Sequence, residues 1–160
     1  MKLSLDPRLF AMLAFLILAG CEYQSSITAP ETPIDDQLLG TWSVKDPKDG
    51  PTTLRFRKLN AFEYLIELES VEKGKRVKEY GKGFLSVIND VHFINYQDHT
   101  NSRFLFDAYE FDKKGRLILR NTRLDVLADA SSFSIRQAIR KQLEEKSLFG
   151  TTTIWRKNRG

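Results

Sequence analysis

The fold of this chain is most constrained by a series of short stretches in which apolar and polar residues alternate, separated by turn residues. Seven of them follow one another between residues 38 and 124, with no helical periodicity among them. Alternation with a period of two is typical of a β-strand that buries one face. A crossover between parallel strands needs about a dozen residues or more, and the connections here are shorter. The sequence therefore predicts an antiparallel meander.

The seven stretches carry local signals for pairing and turning. They cover residues 38–44, 53–58, 62–69, 77–88, 91–97, 103–112 and 116–124. Arg55 and Arg57 of the second stretch can pair with glutamates of the third across the solvent face. Gly81 and Gly83 interrupt the fourth stretch and predict a bulge or a sharp bend. The Asn-Asp pair at 89–90 predicts a two-residue hairpin turn with positive φ.

One helix is predicted late in the chain. Ser134 and Gln137, three residues apart, make a capping box, and Phe133 and Ala138 are placed as a hydrophobic staple. The apolar residues recur at spacings of three and four, which gives the helix one apolar face. These residues are Ile135, Ala138, Ile139 and Leu143. Because the other face carries mixed charge, we expect the helix to pack as a lid on the sheet, and residues 148–157 to follow as an eighth strand.

A meander of short strands hides its edges by closing into a barrel. The predicted fold class is therefore mainly β, an antiparallel meander of eight strands that closes into a barrel, with one helix before the last strand. Gly40-Thr41-Trp42 at the start of the first strand, with the late helix and last strand, resembles the lipocalin-type, or calycin, barrels. The resemblance implies that Trp42 closes one end of the barrel under a late-strand arginine, by analogy Arg120 or Arg156.

A barrel of about eight strands either fills with its own side chains or holds one small ligand. The candidates for the interior are large and aromatic. They are Phe56, Phe62, Tyr64, Phe84, Phe93, Phe104 and Phe106. A dense aromatic interior favours a filled barrel, whereas a ligand pocket needs small residues at some of these positions. The sequence leaves both interpretations open.

The segment before the barrel has the layout of a secretory signal. A positively charged start precedes ten residues, 9–18, that carry no charge, and a membrane-spanning helix would need about 20. The tetrapeptide Leu18-Ala19-Gly20-Cys21, which contains the chain's only cysteine, resembles the bacterial lipobox. The resemblance implies cleavage before Cys21 and attachment of diacylglycerol and a fatty acid such as palmitate to that residue.

Residues 22–36 carry serines and prolines among polar neighbours and show no regular period, so a flexible tether is predicted there. The chain then divides into a signal peptide at 1–20, a lipidated cysteine with its tether at 21–36, and a barrel domain at 37–160. By resemblance to other lipoproteins, Glu22 after the acylated cysteine implies sorting to the outer membrane, facing the periplasm. With Cys21 carrying lipid, no disulfide can form.

No recognisable catalytic, metal or cofactor motif occurs in the sequence. His92 and His99 lie seven residues apart, on a strand and in the loop after it, so the pattern does not imply that they converge, and a metal site wants three or four ligands. Asp98 and His99 could act as orienting acid and base, but no motif places a serine or cysteine nucleophile. We therefore expect neither an enzyme nor a cofactor.

The charge of the chain is modestly positive. Removal of residues 1–20 lowers the formal net charge from +4 to +3, an excess too small to indicate nucleic acid. Basic residues on the strands could orient the domain on anionic lipid, but interleaved acids favour cross-strand pairing. We expect a lipid-anchored, non-enzymatic envelope module that binds an envelope protein or a small apolar ligand. The alternative is a structural or assembly lipoprotein with a fully packed barrel.

Overall fold

The computed structural model describes residues 22–46, 50–72 and 74–158, and it confirms the predicted fold class. Eight antiparallel strands close into one barrel in the order β1 to β8, with one helix before the last strand. The strands are β1 (Gly40–Asp46), β2 (Gly50–Lys58), β3 (Glu63–Glu72), β4 (Lys75–Ile88), β5 (Val91–Asp98), β6 (Phe104–Phe111), β7 (Leu117–Thr122) and β8 (Phe149–Lys157). The helix α1 spans Ser132–Glu144, and a short 3₁₀ turn at Asp36–Leu38 precedes β1.

The cross-strand pairing of charges predicted for β2 and β3 is confirmed. Arg55 lies opposite Glu67 in the register, and the Glu67 carboxylate lies 3.1 Å from an Arg57 nitrogen and 3.4 Å from the Lys78 ammonium. Three cations therefore cover one glutamate on the outer wall. The hairpin at 89–90 is also confirmed, since Asn89 has φ 49° and the next residue has φ 62°.

The apolar residues form two cores, one inside the barrel and one outside its wall. Successive residues of a strand point to opposite faces, so Ile94 and Tyr96 of β5 belong to the interior core, whereas Phe93 belongs to the outer one. The outer core lies between the wall of β4 to β6 and the helix α1, which contributes Ile135 and Ile139. The predicted apolar face of the helix is thus confirmed.

The outer core corrects part of the predicted interior. Phe56 and Tyr64 do lie inside the barrel. Phe93 and Phe106 instead face outward into the second core, and Phe104 packs against it. The Phe84 and Phe104 rings make a T-shaped contact, and Phe62 is 40% exposed. The strand pattern alone does not reveal this, because both faces of β5 and β6 are covered and both therefore carry apolar residues.

Of the two alternatives predicted at the glycines of β4, a bulge or a sharp bend, the bulge is wrong. The pairing with β3 and β5 runs without a shift across Gly81 and Gly83. A Cβ atom at Gly81 would lie 2.5 Å from the Tyr96 ring, and one at Gly83 would lie 2.3 Å from Ile66 Cδ1. These positions are glycine because neighbouring side chains cross the backbone there. The irregularity in register lies elsewhere, in β7 after Arg120.

The helix begins three residues earlier than the capping box predicts. Ser131 is the N-cap, and its hydroxyl accepts a hydrogen bond from the Ser134 N–H at 3.2 Å. Phe133, the proposed staple, is 62% exposed. The predicted cap and staple are therefore wrong, since a chain with three nearby serines offers more than one residue of the favoured N-cap type.

Residues 22–36 pack on the barrel, which corrects the flexible tether predicted for them, and we call this segment the N-terminal strap. Tyr23 and Ile27 are 1% and 0% exposed. Tyr23 pairs with Phe104 through two backbone hydrogen bonds of 2.9 and 2.8 Å, and Thr32 bridges to Leu85. The strap lies along strand edges that the barrel does not use. β7 pairs with β6 only from Asp107 onward, and the pairing of β4 with β3 stops at Phe84.

The strap ends at the closed end of the barrel, the end with the β2–β3, β4–β5 and β6–β7 turns. There the Trp42 indole N–H donates to the Leu38 carbonyl at 2.8 Å, and the Lys157 ammonium lies 5.1 Å from the centre of the Trp42 ring. The cation over the tryptophan is therefore Lys157. The proposed Arg120 pairs with Glu110 instead.

The other proposed arginine is also not the capping cation. Arg156 lies opposite Ser43 in the register and is exposed on β8. Successive residues of a strand point to opposite faces of the sheet. Lys157, one position after Arg156, therefore lies on the same face of the sheet as Trp42.

Candidate functional site

The two halves of the barrel interior differ in chemistry. Toward the closed end the interior is apolar and buried, with Trp42, Phe56 and Trp155 each at most 2% exposed. Toward the opposite end, which we call the mouth, the inward positions are polar. We define the mouth cluster as Glu79, Tyr96, Asp98, Asp107 and Asn121. In ligand-binding pockets a few polar groups among apolar ones orient the ligand, and the mouth cluster has this chemistry. The cavity of about 100 Å³ that the described residues form lies outside the barrel, where α1 meets Asp125.

The register places these polar residues inside. Asp107 lies opposite Ile94 of β5 and Asn121 of β7, and it alternates with Tyr109, which belongs to the interior core. Glu79 lies opposite Leu68, which packs against that core. The alternation along β6 could have identified Asp107 from the sequence, because it interrupts a series of inward apolar residues.

Asp107 is a carboxyl group held inside the barrel wall. Within the described ranges it makes no hydrogen bond or ion pair, and its residue surface is only partly exposed. Burial raises the pKa of Asp107 from 3.8 to about 7, because removal from water disfavours the charged form. A perturbed carboxyl that no neighbour satisfies is a frequent property of functional sites.

Tyr96 adds a second unsatisfied polar group to the interior. The residue is 8% exposed, and its hydroxyl is buried without a protein hydrogen-bond partner among the described residues. Burial, and then the charges of Asp98 and Glu79, raise the pKa of Tyr96. Buried polar groups in proteins are nearly always hydrogen-bonded. Among the described residues the Tyr96 hydroxyl and the Trp155 indole N–H are the two buried side-chain groups without a protein partner, and a water molecule or a ligand could satisfy either.

Carboxylates influence one another at the mouth, while Arg123 lies on its Asn121 side, where Arg123 Nε and Asn121 Oδ1 would both be 2.7 Å from a Cβ atom at Gly150. Burial raises the pKa of Glu79, and the neighbouring charges of Asp98 and Glu72 raise it further. Carboxylates that disfavour one another's ionised form are relieved by a nearby cation or hydrogen-bond donor. The mouth cluster is therefore suited to a positively charged or donating group, above the apolar floor of the barrel.

The two histidines are not brought together. His92 lies at the closed end of β5, where its ring meets the edge of Tyr109 at 5.7 Å. His99 lies beyond the mouth end of β5, and its Nδ1 is 2.6 Å from the Tyr80 carbonyl. In the described part of the chain, no group of three or more metal-ligating side chains occurs. Cys21 and the lipobox lie outside the described residues.

A seam between β1 and β8 is a second feature that the sequence pattern does not reveal. Their pairing consists of Trp42 with Lys157 and Ser43 with Arg156. Above this point β8 pairs with β7, and no described residue pairs with its other edge from residue 149 to 155. The segment carries three consecutive threonines and no charge, and uncharged edges of this kind can accept another strand.

Comparison with protein-family models, with curated proteins and with solved structures finds no match to this chain. Of residues 22–46, 50–72 and 74–158, none belongs to a helix with the length and apolarity needed to cross a membrane. The interpretation of function therefore depends on the chemistry of the mouth cluster, the seam and the sequence before the barrel.

Proposed function

We propose that the chain is a lipid-anchored, non-enzymatic binding module of the bacterial envelope, attached through Cys21 and facing the periplasm from the outer membrane. Its barrel takes one small ligand through the mouth. The observation that carries this proposal is the Tyr96 hydroxyl, which is buried and has no partner among the described residues. Asp107, also unpaired, supports it.

The ligand that suits this interior is amphiphilic, with a cationic or hydrogen-bond-donating head and a short apolar body. The head would meet Asp107 and Tyr96, and the apolar body would extend toward Ile94 and Leu119 of the interior core. A purely apolar ligand, as expected from the sequence, would leave the buried carboxyl and hydroxyl unsatisfied, at a cost of about 1–3 kcal/mol for each group.

A matched ligand series tests the pocket. Decylamine, decanol and decanoate share one chain length and differ in head group, and each is titrated against residues 22–160 by calorimetry. We expect the amine to bind most tightly, decanoate least, and the Asp107→Asn variant to lose most of the preference. The strap is kept because it belongs to the fold. Equal binding of all three, or an unchanged preference in Asp107→Asn, would contradict the proposed ligand class.

The anchor is tested separately in cells. Labelled palmitate should enter the full-length protein and should fail to enter the Cys21→Ser variant. Incorporation that persists in Cys21→Ser would overturn the proposed anchor and leave the ligand proposal to stand on the barrel alone.

The open edge of β8 favours a second candidate, an assembly lipoprotein that adds a strand from another envelope protein. A photo-crosslinking residue at Thr152, which is exposed, should then capture one dominant protein in intact cells. The same residue placed at Arg76, exposed on β4, is the control. Equal patterns at the two positions would count against strand addition at the seam.

A further inference from the structure

The docked strap fixes where the described chain begins on the domain. The Glu22 carboxylate lies 3.7 Å from an Arg103 nitrogen and 3.4 Å from the Asn101 amide. The Gln24 N–H donates to the Ala128 carbonyl at 2.8 Å. The described chain therefore begins beside the β5–β6 turn at the mouth end, one residue after the proposed lipid attachment point.

Two large apolar side chains are exposed next to this point. Leu127 is 78% exposed and Phe133 is 62% exposed, the highest values among the large hydrophobic residues that the structure describes. Leu127 directly precedes Ala128, which holds the strap. Phe133 lies in the first turn of α1, and Arg136, one turn later, donates to the Ile27 carbonyl of the strap at 2.9 Å.

We infer that Leu127 and Phe133 form a membrane-contacting face, entering the lipid headgroup region when Cys21 is lipidated. This inference depends on the proposed function, because the anchor is what brings this face to the bilayer. A free tether of 15 residues would let the domain turn away from the lipid surface, whereas the docked strap leaves only the lipid linkage to span the gap. Exposed Leu and Phe are typical of the side chains that enter such an interface.

The occupant is a lipid surface because of where the chain leaves the domain and which charges surround the patch. Asp125 and Asp129 are exposed on either side of Leu127, and Arg103 and Arg136 lie beside the strap. Because the charges around the patch are mixed, we take attraction to anionic headgroups as the smaller contribution. The contact is hydrophobic, and we expect it to persist in neutral phosphatidylcholine and at high salt, conditions that weaken electrostatic binding.

Site-specific coupling tests this face without relying on lipidation in cells. A maleimide-lipid is coupled to Cys21, the only thiol, in the chain 21–160, and the product is inserted into phosphatidylcholine vesicles with brominated acyl chains. Phe133→Trp supplies the reporter. Phe62→Trp is the matched control, because Phe62 is 40% exposed but lies at the β2–β3 turn of the closed end. Trp42 and Trp155 are buried and give a common background.

We expect bromine to quench the tryptophan at 133 at least twofold more than the one at 62, and Leu127→Ser to reduce that quenching. Equal quenching at the two positions, or none at 133, would overturn the membrane-contacting face. Since the lipid is attached chemically, failure of palmitate labelling in cells would reject the proposed anchor without changing this result. Circular dichroism of each variant shows whether the barrel has folded.

Discussion

At the scale of single residues, Asp107 shows how a polar group inside a β-barrel changes its stability with pH. The unfolded chain releases the Asp107 proton near the ordinary pKa of 3.8, whereas the folded protein holds it until about pH 7. The folded state therefore binds more protons between these values, and stability falls as the pH rises through that interval. Above it, the cost of the buried charge stays constant, at up to about 4 kcal/mol for a shift of three pKa units.

The Asp107→Asn variant should remove this dependence. Near pH 8, where the wild-type carboxylate is charged, we expect the substitution to stabilise the protein. The change in unfolding free energy caused by the substitution should be roughly 1–4 kcal/mol more favourable near pH 8 than near pH 4. Urea unfolding at the two pH values measures both differences. An equal effect of the substitution at the two pH values would mean that Asp107 is not a titrating group in this range.

Asn95 is a second residue whose role only the contacts reveal. Its side-chain carbonyl accepts from the Ile27 N–H at 2.9 Å, and its amide donates to the Ser86 hydroxyl at 2.8 Å. We expect Asn95→Ala to cost about 1–3 kcal/mol in unfolding free energy, because the Ile27 N–H is left buried without a partner. Gln97→Ala on the same strand removes a solvent-exposed hydrogen bond from the side-chain amide, and it should change stability by at most about 0.5 kcal/mol.

At the scale of elements, the start of α1 raises the question of which of the neighbouring serines is the N-cap. Ser131→Ala removes the hydroxyl that accepts from the Ser134 N–H and should cost about 1 kcal/mol. Ser134→Ala, at the position that the sequence motif favours as the cap, should cost clearly less. Thermal unfolding of the two variants decides between the two starts, and a larger loss in Ser134→Ala would favour the sequence-based one.

The N-terminal strap is an element of the outer core rather than a linker. We expect Tyr23→Ala to cost about 3–5 kcal/mol, as for other buried aromatic residues, and to speed hydrogen exchange at the Phe104 N–H, which donates to the Tyr23 carbonyl. Tyr80→Ala is the control, since Tyr80 is 37% exposed. Slow exchange at Phe104 in a chain that begins at residue 37 would show that the strap does not protect β6.

At the scale of the whole molecule, the seam between β1 and β8 is the weakest part of the closed barrel. Only two residue pairs join these strands, whereas ten join β3 to β4. Native-state hydrogen exchange should therefore be fastest, among the strand amides, along β8 between residues 149 and 154, because local opening follows the regions with the fewest interactions. Exchange at β8 as slow as at β3 would mean that contacts other than these two residue pairs close the seam.

The architecture was largely predictable, because alternation and short connections leave a meander of eight strands few ways to hide its edges. The Asn-Asp turn and the pairing of Arg57 with Glu67 followed from local rules of the same kind. The interior was less predictable. Phe93 and Phe106 face a second core, and their strands carry apolar residues on both faces because the strap and α1 cover the outer one.

The sequence by itself determined the order and type of the elements, the turn at 89–90 and the expectation of a lipid on Cys21. These features depend on residues that are close together in the chain, and the sequence shows such residues directly. Only the tertiary structure decided that Lys157 covers Trp42, that residues 22–36 dock, that two described pairs join β1 to β8, and that Asp107 and Tyr96 share an interior. Each of these results from strand register and barrel closure, which bring together residues far apart in the chain and shift which side chains meet.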